Sequence, residues 1–265
     1  MKKYLSLLFF LAFSASFASN ALAASFEQSG LQPLAPNGVF STFGAASLEE
    51  GKAAGAVSFE KASEPNFYRY SGHFAYGVTD KFEVSLSIPY VSEWQRKKSG
   101  FEDIALGVKH RFFTEGKYGP SVAYLLEAAF IDGRSDFSTD GYVGAGLIVS
   151  KRVGPVTGHF NFIYSVPGDS GLEDQIVLTG GFDFAAAHNF KILGELYARK
   201  SYYASVVDKF EARFGYRFLT RENFFTTIGV AFDLKDSTPE YRVFLSFTAV
   251  YPEEKRAIRK VVEEE

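Results

Sequence analysis

A closed, antiparallel transmembrane β-barrel of about twelve strands is the all-β fold class that this sequence predicts. Three observations carry it. The chain opens with an export signal, and beyond that leader no apolar run approaches a membrane-spanning helix. From residue 52 onward, apolar and polar residues alternate with period two in segment after segment. Charge of both signs falls on the small, polar face of these segments, away from the aromatic stripe. A soluble sandwich also alternates, but it needs a second sheet to cover each apolar face. A barrel needs only lipid.

Residues 1–23 read as a signal peptide. Lys2-Lys3 give the positive start, Tyr4 to Phe13 the apolar core, and Ala21-Leu22-Ala23 the cleavage site before Ala24. Residues 24–51 form a lead-in with Pro33 and Pro36 and no periodicity. Within it, Gly38 to Ser47 is small and polar on both faces, which suits a segment tucked into the lumen better than an extra strand. The barrel is expected over 52–251, and a charged periplasmic tail over 252–265.

Lys52 to Glu60 sets Ala53, Gly55, Val57 and Phe59 on one face. The clearest hairpin follows, from Phe67 to Val91. Tyr68, Tyr70, Phe74, Tyr76 and Val78 share its apolar face, and the stripe resumes after Thr79-Asp80-Lys81 with Phe82, Val84, Leu86, Ile88 and Tyr90. Gly100 to Phe113 reads as one strand, with Ile104, Leu106, Val108 and Phe112 outward. Pro120 to Ile131, Gly141 to Ser150, Val156 to Val166, Asp174 to Phe184 and Phe190 to Arg199 repeat the scheme. Asp208 to Phe218 is the sharpest case, because Phe210, Phe214, Tyr216 and Phe218 alternate with Lys209, Glu211, Arg213 and Arg217. Phe224 to Leu234 and Tyr241 to Tyr251 close the series. The last strand ends on an aromatic, which resembles the C-terminal strand signature of bacterial outer-membrane barrels.

The even strand count places both barrel ends on the periplasmic side. Tight connections such as Thr79-Asp80-Lys81 then alternate with longer polar loops on the outside, which are too short to cap the mouth heavily. Aromatics collect at strand ends, Trp94, Phe112, Tyr118, Tyr142 and Tyr164 among them, as expected of a double interfacial girdle.

Composition narrows the function. Aromatic residues make up 17% of the chain, with 29 Phe and 15 Tyr, a level that suits strands. The net charge of −3 and the dispersed basic residues exclude a nucleic-acid footprint. No cysteine is present, which excludes disulfides and lipoprotein attachment. The four histidines have no metal-site spacing, no His-Asp-Ser-type segment is present, and His110, the best placed for an external site, has no evident serine partner. Glu102 and Asp103, as neighbours on one strand, are expected on opposite faces, which defeats paired-carboxylate catalysis. The reading is therefore not an enzyme, with no catalytic, cofactor-binding or metal residues and no cofactor.

What remains is the lumen. Its lining is predicted to include Arg69, Glu83, Asp103, Lys109, Arg111, Glu127, Asp183, Lys191, Glu195, Arg199, Lys209, Glu211, Arg213, Arg217, Asp233 and Arg242. A charge on the lipid face costs about 2–4 kcal/mol at mid-bilayer, so these must face inward. Lys209, Arg213 and Arg217 repel one another unless Glu195, Glu211 and Asp233 interleave.

Two stretches carry a resemblance. They are Tyr76 to Glu83 followed by Ser87-Ile88-Pro89-Tyr90, and Gly100 to Lys109. Both look like the outer-membrane transporter family of the MetA pathway of phenol degradation, with its Tyr-Gly-x-Thr-Asp turn and Pro-Tyr strand end. Glu102 replaces the family's glycine before Asp103. The resemblance implies a barrel that moves aromatic or other hydrophobic compounds. The expectation is thus an outer-membrane channel or transporter for small molecules in a Gram-negative bacterium. The alternative is a structural or anchoring barrel with a closed lumen. Its partners would be outer-membrane lipid, the barrel-assembly machinery and a small-molecule cargo.

Overall fold

The computed structural model describes residues 28–63, 66–94, 97–131, 133, 136–221, 223–235 and 240–252. The signal segment and the tail past Pro252 lie outside the described residues. The strands are β1 (Ala53–Ala62), β2 (Phe67–Thr79), β3 (Phe82–Trp94), β4 (Lys98–Phe101), β5 (Ile104–Phe113), β6 (Ser121–Ile131), β7 (Tyr142–Val153), β8 (Val156–Pro167), β9 (Gln175–Ala187), β10 (Phe190–Lys200), β11 (Lys209–Arg221), β12 (Phe224–Asp233) and β13 (Tyr241–Tyr251).

All pairings are antiparallel and join neighbours into one sheet. β1 pairs with β13 from Ala53↔Tyr251 to Ala62↔Arg242, and the β2–β3 pairing completes the ring. The four-residue β4 continues into β5 as a single stave, so thirteen strands make a closed barrel of twelve staves. Closure matters because an open sheet edge in hydrocarbon would leave a row of unsatisfied backbone groups.

The faces follow the alternation. Phe74, Leu106, Leu126, Phe160, Phe182, Phe214 and Phe232 stand exposed around the outside. A water-soluble monomer does not keep so continuous an apolar surface, so the belt is a lipid-facing surface and the sandwich reading falls. Asp80-Lys81, Gly154-Pro155 and His188-Asn189 make two-residue turns at one end.

Three expectations are corrected. The stave over Gly100 to Phe113 is interrupted at Glu102-Asp103, and both carboxylates turn inward, 1% and 2% exposed. The interruption suspends the period-two rule, which is why neighbours share a side. Trp94 and Tyr142 do not belong to a girdle. At Trp94 the β3–β4 register shifts beside Glu93, whose φ is +59°, so the indole swings inward against Phe67 at 5.3 Å. Tyr142 faces inward and packs on Tyr202. The longer loops, though short, also fill the mouth. Phe137 is buried with Phe67, Val91 and Trp94, and Tyr202 is buried from the β10–β11 loop.

Trp94 is the chain's one tryptophan, so its position is directly readable. In vesicles containing brominated lipid its fluorescence is expected to keep most of its intensity. Strong quenching would restore it to the lipid-facing girdle.

Candidate functional site

The site is the lumen, and cross-strand register builds it. Glu60 lies opposite Arg69, Glu195 opposite Arg213, and Glu83 opposite Lys109. Opposite charges in directly facing positions attract. From these pairs grows a continuous alternation around half the wall. Glu102 bonds Arg69 at 2.6 Å, and Arg69 bonds Glu60 at 2.8 Å. Glu60 bonds Arg242 at 2.8 Å, and Arg242 reaches Glu211 at 3.0 Å. Glu211 holds Arg213 at 2.6 Å and Lys209 at 3.1 Å, and Arg213 ends the chain on Glu195 at 2.9 Å.

Of the predicted lining residues, Arg69, Glu83, Asp103, Lys109, Asp183, Glu195, Arg199, Lys209, Glu211, Arg213, Arg217 and Arg242 are buried inside. Glu127 and Lys191 are half-buried. Lys191 pairs with Asp183 at 2.7 Å, and Glu127 accepts from the Ser165 hydroxyl at 3.0 Å. Arg111 sits at the tight-turn rim and donates to the Asp80 carbonyl. Asp233 faces Glu211 across the ladder and accepts from the Lys235 amide, while Arg242 supplies a charge next to Glu211.

The lumen is not empty. Residues 28–51 run along it, from the mouth with the longer loops to the end with the tight turns. Near the mouth, Gln28 Nε2 donates to Asp103 at 3.0 Å and the Ser29 amide to Glu102 at 2.7 Å. At mid-height the Ser41 and Thr42 amides both donate to Glu195, at 2.8 and 2.9 Å. Asn161 clamps Phe43 from both sides, accepting from its amide at 2.6 Å and donating to its carbonyl at 2.9 Å. At the far end the Leu48 amide donates to Glu83 at 2.7 Å, and the Glu50 amide to Asp80. An irregular segment has no ladder for its amides, so the wall side chains replace one.

Among the polar side chains of β5–β8 the inward wall carries an apolar patch. Leu31, Phe43 and Ala45 pack there against Ala105, Ala123, Leu125, Ile148 and Ile163. Gly107 has no side chain because Leu31 occupies its place, 2.1 Å from where a Cβ would stand. On the opposite side a cavity of about 110 Å³ remains between the segment and the arginines. In the β10–β11 loop, burial pushes the Tyr202 hydroxyl well up, and the Glu127 carboxylate adds to it.

Ser150, His159 and Asp183, on adjacent strands, come together. Ser150 Oγ lies 2.8 Å from His159 Nδ1, and His159 Nε2 lies 3.3 Å from Asp183. The Ser150 oxygen already accepts the Ala45 amide at 2.9 Å, and Asp183 also holds Lys191. The trio therefore secures the lumenal segment, with its serine covered.

Sequence reasoning missed Glu60, Glu102 and Asn161. Glu60 was legible, since it shares parity with the inward Ala54 and Ala56. Glu102 was hidden by the strand break. Asn161 lacked the charge that marked the others.

No protein-family model matches the chain, and no curated protein matches it. Solved structures do. The COG4313 outer membrane channel from Pseudomonas putida F1 superposes with a TM-score of 0.61 at 11% identity, over 78% of this chain and 98% of that one. A KdgM porin gives 0.57 at 9% identity, over 74% and 98%. A NanC porin gives 0.56 at 9%, over 74% and 98%. With the closed ring and apolar belt, the likeness settles the fold. The chain is an outer-membrane β-barrel. At these identities the shared architecture carries no residue correspondence.

Glu195 joins wall to segment, so Glu195→Ala is expected to lower the unfolding free energy in detergent by about 3 kcal/mol, as a broken buried pair does. A urea titration measures it. A change within about 0.5 kcal/mol would contradict the coupling.

Proposed function

We propose that this barrel is an outer-membrane channel for small molecules, closed at rest by its own residues 28–48. The observation that carries the reading is the way the segment is held. Its amides bond to side chains of the wall instead of joining the sheet, so it can leave without breaking the barrel ladder. Behind it lies a lumen with a charged wall on one side and an apolar patch among polar groups on the other. The porin and channel structures that share the fold support passage of small solutes, among them a KdgM porin solved in complex with disordered oligogalacturonate. Aromatic or hydrophobic cargo is the finer part of the proposal. The Tyr76–Glu83 and Gly100–Lys109 motifs support it, as does the apolar patch on β5–β8.

In this reading the chain is not an enzyme. Outer-membrane lipid covers the belt, and the aromatic-ended β13 is the strand offered to the barrel-assembly machinery. A second reading has one observation in its favour. Leu31, Phe43 and Ala45 are packed as tightly as a core, which suits a permanently closed anchoring barrel.

Planar-bilayer conductance and liposome swelling separate the two. The mature chain is expected to conduct little, and a variant lacking residues 24–47 to conduct ions and pass small solutes freely. If neither passes ions or solutes, aromatic ones included, the channel reading fails and the anchoring barrel takes its place.

A further inference from the structure

The inward row of β11 reads Arg213, Gly215, Arg217, a glycine between two guanidinium groups. Across the ladder Gly215 faces Gly229 of β12, and Gly229 faces Phe244 of β13. Two glycines side by side leave a shallow slot in the wall, with an aromatic ring as its border. The ring of Phe40, from the lumenal segment, lies in that slot. Its carbons stand 2.9 Å from a Cβ built at Gly215 and 2.3 Å from one built at Gly229, and its centroid is 5.7 Å from that of Phe244.

The two arginines grip the backbone on either side of that ring. Arg217 donates to the carbonyls of Gly38 at 2.9 Å and Pro36 at 3.2 Å, and Arg213 to the Ser41 hydroxyl at 2.6 Å. They differ in charge balance. Arg213 is shared between Glu195 and Glu211. Arg217 is buried, bonds Thr227 and the two carbonyls, and has no carboxylate in contact among the described residues. A buried guanidinium held only by neutral oxygens prefers an anion when one can reach it.

The geometry points to an aromatic-carboxylate subsite, in which a ligand ring lies on Gly215 and Gly229 beside Phe244 and its carboxylate takes Arg217 from the Pro36 and Gly38 carbonyls. Phe40 and its flanking carbonyls occupy the same place in the resting barrel. The adjoining cavity of about 110 Å³ touches Phe40, Arg213, Arg217 and Phe244, and vacating the Phe40 ring would extend it. A cavity of about 150 Å³ holds benzene. Binding and release of the segment are then one exchange. This subsite rests on the channel reading, because ligand reaches it from solution only when the turn over residues 36–41 moves aside.

The test uses the refolded mature chain in micelles, with 4-fluorobenzoate and the uncharged 4-fluorobenzyl alcohol as ¹⁹F NMR probes. Phe40→Ala leaves every wall residue in place, and heat-modifiable gel migration checks its fold. It is expected to bind 4-fluorobenzoate roughly tenfold more tightly than the unaltered chain, because the internal competitor is gone. The same protein should prefer the acid over the alcohol by roughly tenfold, the factor of one charge-assisted hydrogen bond. Adding Arg217→Gln should abolish that preference. Equal binding by Phe40→Ala and the unaltered chain, or equal affinity for acid and alcohol, would overturn the subsite. The probe comparison within Phe40→Ala stands even if the Arg217 variant does not fold. Solute passage without this binding leaves the channel and removes the subsite, and binding without passage does the reverse.

Discussion

Each charge turned into a closed barrel must find a counter-charge or a hydrogen-bond partner, because lipid excludes it from one side and little water reaches it from the other. The rest of the molecule follows from that constraint. Glu195 balances Arg213 and also accepts the Ser41 and Thr42 amides. Glu102 balances Arg69 and accepts Ser29, and Glu83 balances Lys109 and accepts Leu48. Three carboxylates at three heights thus serve the wall and the lumenal segment together. The segment needs acceptors for its amides, and the carboxylates have lone pairs left over after their ion pairs. Each solves the other's problem.

The same arrangement bears on whether the closure is reversible. Buried ion pairs add little net stability, since desolvation cancels much of the attraction. Their register within the ladder survives departure of the segment, and water can take over the freed lone pairs. The apolar contacts of Leu31 and Phe43 pull the other way, at about 1.5–3 kcal/mol for each side chain fully buried. In the proposed channel, these opposing contributions make the segment a removable closure with a real threshold.

Much of this was legible in the residues. Alternation alone located the twelve staves and put Arg213 and Arg217 inside, because a period of two leaves no other face for them. It also marked Gly38 to Ser47 as unlike a strand, having no apolar stripe to offer lipid. Legibility ended where the period breaks. Glu102 and Asp103 share a side because the strand stops between Phe101 and Ile104, and Trp94 swings inward past a positive-φ residue. Neither event has a marker in composition. The joining of Ser150, His159 and Asp183, and the seat of Phe40 on Gly215 and Gly229, depend on register between distant segments, which no single strand's pattern encodes.

In the proposed channel the lumen is shut by a segment that can move while the wall stays intact. The chain has no cysteine, so a single engineered pair reports cleanly. Ala45→Cys with Ser150→Cys joins the segment to β7 where the Ala45 amide now meets the Ser150 hydroxyl at 2.9 Å. Single-channel recording before and after reduction is the direct test. Silence is expected while the disulfide holds and opening events once it is reduced, with gel migration unchanged. Identical conductance in the two states would contradict it.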